Sequence, residues 1–194
     1  SENIDAVLEP SCGDGVFLDA LKETGLLDKV SRVEAVEIET PEAQKVSGRY
    51  KDTPKVKVIN RDFFEFYKET LGKKTYDLIL GNPPYIRYQY LKESQRECQA
   101  QILTSHGMKS NKLINAWVAF MVASVQMLSK RGKIAFVIPA EILQVAYAED
   151  LRLYLANHLA RITLITFEQL VFPDIEQEVV VFIGEKEDAE KGIR

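Results

Sequence analysis

The sequence predicts an α/β protein built on a doubly wound, mostly parallel seven-stranded sheet with an antiparallel last strand. Short apolar runs alternate with longer amphipathic stretches, the pattern of strand and helix units wound into a parallel sheet. Four of those runs end in unusual glycine-, acid- or proline-bearing stretches, which suits the carboxyl edge of such a sheet. The last two runs are joined by a short connection, 167–178, compatible with a hairpin and not with a crossover helix.

Taken in order, residues 5–8 read as the first strand. Gly13-Asp14-Gly15 turns the chain into a helix over 16–22, where Phe17, Leu18 and Leu21 recur at helical spacing. A second strand covers 32–37, and a helix follows with Thr40 as its cap and Pro41 in its first turn. Lysine alternates with valine and isoleucine over 55–59, a third strand. Residues 76–80 form a fourth, which stops at Gly81-Asn82-Pro83-Pro84 because proline cannot extend a ladder.

Residues 86–111 are polar with little apolar periodicity and read as a mobile or partly helical excursion. Helical spacing returns over 114–128, the pair Arg131-Gly132 turns the chain, and 133–138 makes a fifth strand. An amphipathic helix is expected over 147–159, then strands over 161–166 and 179–183. No repeat or linker divides the chain, so one catalytic-size domain spans 1–184, followed by a charged tail, 185–194, expected to fray.

With 194 residues and 46% hydrophobic content, the chain can bury one sizeable core. A formal charge of −4 excludes a surface made wholly as a polyanion clamp but leaves room for a local basic patch. The two cysteines, Cys12 and Cys98, lack zinc or disulfide spacing, which fits a reducing, cytoplasmic setting and no metal. No run of ~18 apolar residues is present, so no membrane partner is expected. The chain starts at Ser1 and enters a strand within a few residues, which reads as a piece excised from a longer protein.

Chemistry should gather beyond the carboxyl ends of the strands, near the point where strand order reverses. After the first strand comes Glu9-Pro10-Ser11-Cys12-Gly13-Asp14-Gly15, whose glycines let the backbone approach a ligand or simply make a tight turn. It lacks both the P-loop ending and the three-glycine dinucleotide fingerprint, so a ligand without phosphates is indicated. Glu37 stands at the end of the second strand, about where such folds place an acid for ribose hydroxyls. Asp62 and Phe63 follow the third, where the acid can accept from an adenine amine, cap a helix, or do both.

Asn82-Pro83-Pro84-Tyr85 is the most informative stretch. Two prolines stiffen the backbone and remove two donors, leaving nearby carbonyls uncommitted. The Asn82 side-chain oxygen and the Pro83 carbonyl can each accept a hydrogen from an aromatic amine while the Tyr85 ring stacks on it. Such an amine is a poor nucleophile, and two acceptors free its lone pair for attack, so catalysis is mainly positioning and electrostatics.

With these stretches placed, the sequence resembles the amino-group DNA methyltransferases, most closely the gamma group of adenine-N6 enzymes of restriction-modification systems. The resemblance implies the S-adenosylmethionine-dependent methyltransferase fold, with S-adenosyl-L-methionine as cofactor. Glu9, Pro10 and Gly13 would hold its methionine part, Glu37 its ribose, and Asp62 and Phe63 its adenine. Asn82, Pro83, Pro84 and Tyr85 would hold the target amine. Familial too are Asn115-Ala116-Trp117-Val118-Ala119-Phe120 and Val171-Phe172-Pro173, where Phe172 would face Tyr85 across a flipped base.

Double-stranded DNA is the implied substrate, with an endonuclease or specificity domain fused or associated. The group usually carries a further cofactor segment upstream and a target-recognition domain downstream, so both are expected to be missing and activity to be weak. Arg87, Lys92, Arg96, Lys109 and Lys112, interleaved with Tyr88 and Tyr90, are the candidate DNA contacts, although the opposing Glu93 and Glu97 make a solvated face the better reading. His106 and His158 receive no role. Two competing readings share the motif or the fold: methylation of a protein glutamine or a ribosomal RNA guanine, and a non-catalytic DNA-binding or assembly module.

Overall fold

The computed structural model describes residues 4–144, 148–167 and 178–187. Phe172, expected opposite Tyr85, lies outside the described residues, as does most of the 167–178 connection. Seven strands form one sheet: β1 (Ala6–Glu9), β2 (Arg32–Glu37), β3 (Val56–Asn60), β4 (Tyr76–Gly81), β5 (Leu128–Pro139), β6 (Arg161–Ile165) and β7 (Val179–Glu185). Their order is β3-β2-β1-β4-β5-β7-β6. Every pairing from β3 to β5 is parallel, and β7 runs antiparallel to both its neighbours. Strand order reverses between β1 and β4, which makes their carboxyl ends the switch point of the sheet.

The helices are α1 (Val16–Glu23), α2 (Leu26–Lys29), α3 (Thr40–Arg49), α4 (Phe63–Thr70), α5 (Glu93–Thr104), α6 (Ala116–Met127) and α7 (Glu149–His158). In α6 only Gln126 keeps partial exposure, and the helix carries Trp117, Phe120 and Met121 into the larger of two cores. A helix apolar on all sides is a buried one, and here it is packed against α4, α5, α7 and β5. The smaller core, built on Val7, Leu18, Val33, Ala35 and Val46, lies on the other side of the strands, beneath α1 and α3.

One local expectation is narrowed and two change. Of the two readings of residues 86–111, mobile or partly helical, the structure has the helical one: a 3₁₀ turn at Tyr88–Tyr90 leads into α5, whose Cys98, Ile102 and Leu103 are buried in the larger core. Its apolar signal is confined to the second half of the helix, so no full amphipathic period shows in the sequence. Thr40 is not the cap of α3. Glu39 holds that position, and the Thr40 hydroxyl donates to Asn60 Oδ1 at 2.8 Å on the neighbouring strand.

Arg131-Gly132 does not turn the chain ahead of a strand. It lies inside β5, where the register against β4 jumps from Tyr76↔Leu128 to Leu78↔Lys133. A Cβ on Gly132 would stand 2.8 Å from the Tyr76 carbonyl, so the bulge requires glycine there. No helix among the described residues is long and apolar enough to cross a membrane.

Candidate active site

The carboxyl ends of β1, β2, β3 and β4 surround a cavity of about 630 Å³. Of the residues expected to hold the cofactor or the target amine, Pro10, Glu37, Asp62, Phe63 and Pro84 line it. Glu9, Gly13, Asn82, Pro83 and Tyr85 do not, yet each sits on the stretches that form its walls.

Glu37 organises the glycine loop. Its Oε2 accepts from the Gly13 amide at 2.7 Å, and its Oε1 accepts from the Glu39 amide at 2.8 Å. Asn60 steadies the same strand end by donating through Nδ2 to the carbonyls of Glu37 and Ile38. The two glycines of the loop divide the work. Gly15, at φ +86°, precedes α1 in a left-handed conformation, and a Cβ there would press on the Val46 methyls at 3.2 Å. Gly13, at φ +51°, has nothing within 4 Å of the place a Cβ would occupy.

Behind the loop lies an unusual group. Glu9 is 1% exposed, and neither carboxylate oxygen has a hydrogen-bond partner among the described residues. Burial, reinforced by the negative charges of Asp14 and Glu37, pushes its carboxyl up to about 9. An orphaned acid in an acidic setting suits a cationic ligand, since an uncompensated buried carboxylate is costly. The same burial pushes the Cys12 thiol up to about 12, which makes it an inert neighbour.

Asp62 serves as the cap of α4, its Oδ1 accepting from Phe64 N at 2.8 Å and Glu65 N at 3.2 Å. Its Oδ2 accepts from Gln95 Nε2 at 2.6 Å. Phe63 is nearly buried and stacks on Phe120, with ring centroids 4.6 Å apart and planes 28° apart. Phe120 and Ile38 therefore join the cavity wall, and sequence reasoning had assigned neither a cofactor role. The signal for Phe120 was its place in Asn115-Ala116-Trp117-Val118-Ala119-Phe120; Ile38, a lone aliphatic after Glu37, carried none.

Asn82 follows β4 across the switch point from Ser11, whose hydroxyl donates to the Asn82 carbonyl at 3.1 Å. The Asn82 side chain is exposed and makes no hydrogen bond among the described residues. Pro83 is buried, and Tyr85 is half-buried with its hydroxyl donating to the Val137 carbonyl at 3.0 Å. Burial raises the Tyr85 hydroxyl well above its ordinary range, so it stays protonated and anchors the ring. The site thus offers a free amide and an anchored ring next to a cavity with an acid at each of three strand ends.

Of the candidate DNA contacts, Lys92 lines the cavity, Arg96 stacks over the Tyr88 ring at 5.6 Å, and Tyr90 stands 73% exposed at the rim. The two histidines lie apart from the site, around Tyr154, with His158 stacked on its ring at 4.0 Å. Among the described residues, no group of three or more His, Cys, Asp or Glu is placed to hold a metal ion.

Comparison with known proteins accords with this geometry. The model of the Eco57I restriction-modification methylase family matches residues 22–172. The chain is 32% identical over 178 residues to the type II methyltransferase M.HincII of Haemophilus influenzae, covering 91% of this chain and 32% of that protein. It is 28% identical over 176 residues to M.AccI of Acinetobacter calcoaceticus, covering 90% of this chain and 31% of that protein. The chain thus spans about a third of the length of these relatives.

Among solved structures, the methyltransferase subunit of a type I restriction-modification system from Streptococcus thermophilus superposes with a TM-score of 0.75 at 18% identity. That match covers 96% of this chain and 40% of the subunit. An S-adenosylmethionine-dependent O-methyltransferase from Thermotoga maritima gives 0.56 at 13% identity, covering 96% of this chain and 60% of that one. The fold is that of the S-adenosylmethionine-dependent methyltransferases, and the matched family model spans most of the sequence. Because that family model covers more than half of the sequence, the chain belongs to the Eco57I restriction-modification methylase family.

Proposed function

We propose that this chain carries the methyl-transfer site of an S-adenosylmethionine-dependent DNA methyltransferase, acting on the exocyclic N6 amine of adenine turned out of the duplex. The observation that carries the reading is the uncommitted Asn82 amide next to a cavity lined by Glu37 and Asp62, with the orphaned Glu9 carboxyl buried behind the glycine loop. The residues fit the cofactor. Glu9 suits its ammonium group, Glu37 its ribose hydroxyls, Asp62 its adenine amine, and Ile38, Phe63 and Phe120 the faces of its purine. Pro10 and Gly13 would shape the methionine end.

When bound, S-adenosylmethionine supplies an electrophilic methyl group. The work of the protein is then to present a nitrogen lone pair to it. Asn82 Oδ1 and the Pro83 carbonyl accept the two amine hydrogens, which draws the nitrogen away from conjugation with the purine ring. Pro83 and Pro84 hold that geometry because their φ angles are fixed. The Tyr85 ring, anchored through Val137, offers a face for the base. No strong base is needed before attack, because the amine proton becomes acidic only as the nitrogen gains positive charge.

Base flipping follows from the chemistry, since an amine inside a duplex is paired and cannot reach the cavity. Double-stranded DNA is the partner this reading requires, with sequence recognition and any endonuclease supplied by other parts of the protein or by associated subunits. Transfer of labelled methyl groups by the whole protein, offered DNA, RNA and protein acceptors, tests the reading. Label on N6-methyladenine in DNA is expected. Label on protein or RNA alone, or on cytosine, overturns it.

A further inference from the structure

The hydrogen bond between Gln95 and Asp62 joins two helix caps that are 33 residues apart. Asp62 caps α4 through Oδ1. Gln95 closes the first turn of α5, its Oε1 accepting from the Lys92 amide at 3.0 Å. With Oε1 committed to a backbone donor, the amide has one orientation, and Nε2 must face Asp62 Oδ2. That contact, at 2.6 Å, holds the second oxygen of a carboxylate whose first is fixed by the two cap amides.

The pair stands between two cavities. Both residues line the cavity of about 630 Å³ and a neighbouring one of about 250 Å³, together with Ile38, Phe64 and Lys92. With two donors on Oδ1 and one on Oδ2, Oδ2 is the Asp62 oxygen less committed within the protein, and Gln95 holds it. The helix that carries Gln95 begins directly after the Tyr88–Tyr90 turn, a few residues beyond Asn82–Tyr85. One side chain thus ties the acceptor at the end of β3 to the segment leaving the active-site motif.

We propose that Gln95 is a positioning residue that sets cofactor specificity: it locks the Asp62 carboxylate as an acceptor for the 6-amino group of the cofactor's adenine. The role rests on the assignment of Asp62 to that amine. Loss of the lock leaves Oδ2 held only through the cap bonds to Oδ1 and weakens the preference for a 6-amino purine, without removing the surfaces that hold the rest of the ligand.

Binding is measured by calorimetry on the whole protein with S-adenosylhomocysteine and with its analogue bearing hydrogen in place of the 6-amino group. The native protein is expected to prefer the amino compound by ~10- to 100-fold, the equivalent of one hydrogen bond to a charged acceptor. Gln95→Glu keeps the acceptor for Lys92 N, and with it the cap, but loses the donor to Asp62. Gln95→Ala loses both. Both variants are expected to cut the preference at least fivefold while the analogue binds within about twofold of its native affinity.

The KM for S-adenosylmethionine should rise with kcat at saturation unchanged. An unaltered preference in both variants overturns the proposal, and so does an equal loss for both ligands, which would make Gln95 merely structural. If the native protein itself shows no preference, the assignment of Asp62 fails and this role fails with it.

Discussion

The Gly13 amide donates to Glu37 Oε2 at 2.7 Å, so the loop after β1 is held in place by the residue that ends β2. Under the proposed function the same carboxylate binds the ribose, so Glu37 would be both a ligand group and the strut of the loop around the ligand. Glu37→Ala removes both functions, and affinity for S-adenosylmethionine is expected to fall by ~100-fold. Glu37→Asp keeps the charge but withdraws it from Gly13, with a loss of ~10-fold. Calorimetric titration ranks the two.

The Glu9 carboxyl gives a pH signature. Its folded value of about 9 lies above the ordinary 4.5, so between those values the folded, ligand-free protein keeps a proton that the unfolded chain gives up. This group's contribution to stability is full below pH 4.5 and is lost progressively as pH rises toward 9. Glu9→Gln should flatten that decline in urea unfolding followed across pH. It should also weaken binding of the cationic cofactor and abolish proton release on binding, read by calorimetry in buffers of different ionisation heat.

Asn82→Ala should leave cofactor affinity within about twofold and lower methyl transfer by ~10²-fold or more, as removal of one preorganised polar contact does. Single-turnover kinetics at saturating DNA and cofactor separate the two quantities. Equal losses in binding and turnover would place Asn82 in the cofactor site instead.

Asp77 provides a control at the opposite end of the strands. It accepts from the amides of Asp5 and Ala6 and from the Ser129 hydroxyl, and these bonds hold its carboxyl below the ordinary value against the opposing effect of burial. A depressed acid stabilises above its unfolded value, and the benefit is lost as pH falls through the folded one. Asp77→Asn is expected to cost about 1–3 kcal/mol near neutrality and much less in acid, without changing cofactor affinity in the folded protein. Urea midpoints at two pH values measure it.

Much of this architecture was legible from the chain. Strand β2 is found at 32–37 as read from the sequence, and the short connection before β7 correctly implied an antiparallel strand. Helix α5 was harder to see, because only its second half is apolar and those residues are buried by α4 and α6 rather than by a continuous face of their own. The cap of α3 was misread for a related reason: a threonine hydroxyl competes for partners across strands, and Asn60 won.

By itself, the sequence determined the succession of the seven strands, the acids at three strand ends, and the stiff motif Asn82-Pro83-Pro84-Tyr85. These follow from covalent constraints and local periodicity. Tertiary structure alone decided that Glu37 would hold Gly13, that Phe120 would stack on Phe63, and that Gln95 would donate to Asp62. Periodicity tells which side of its own axis a residue faces; which distant residue meets it there depends on how the layers pack.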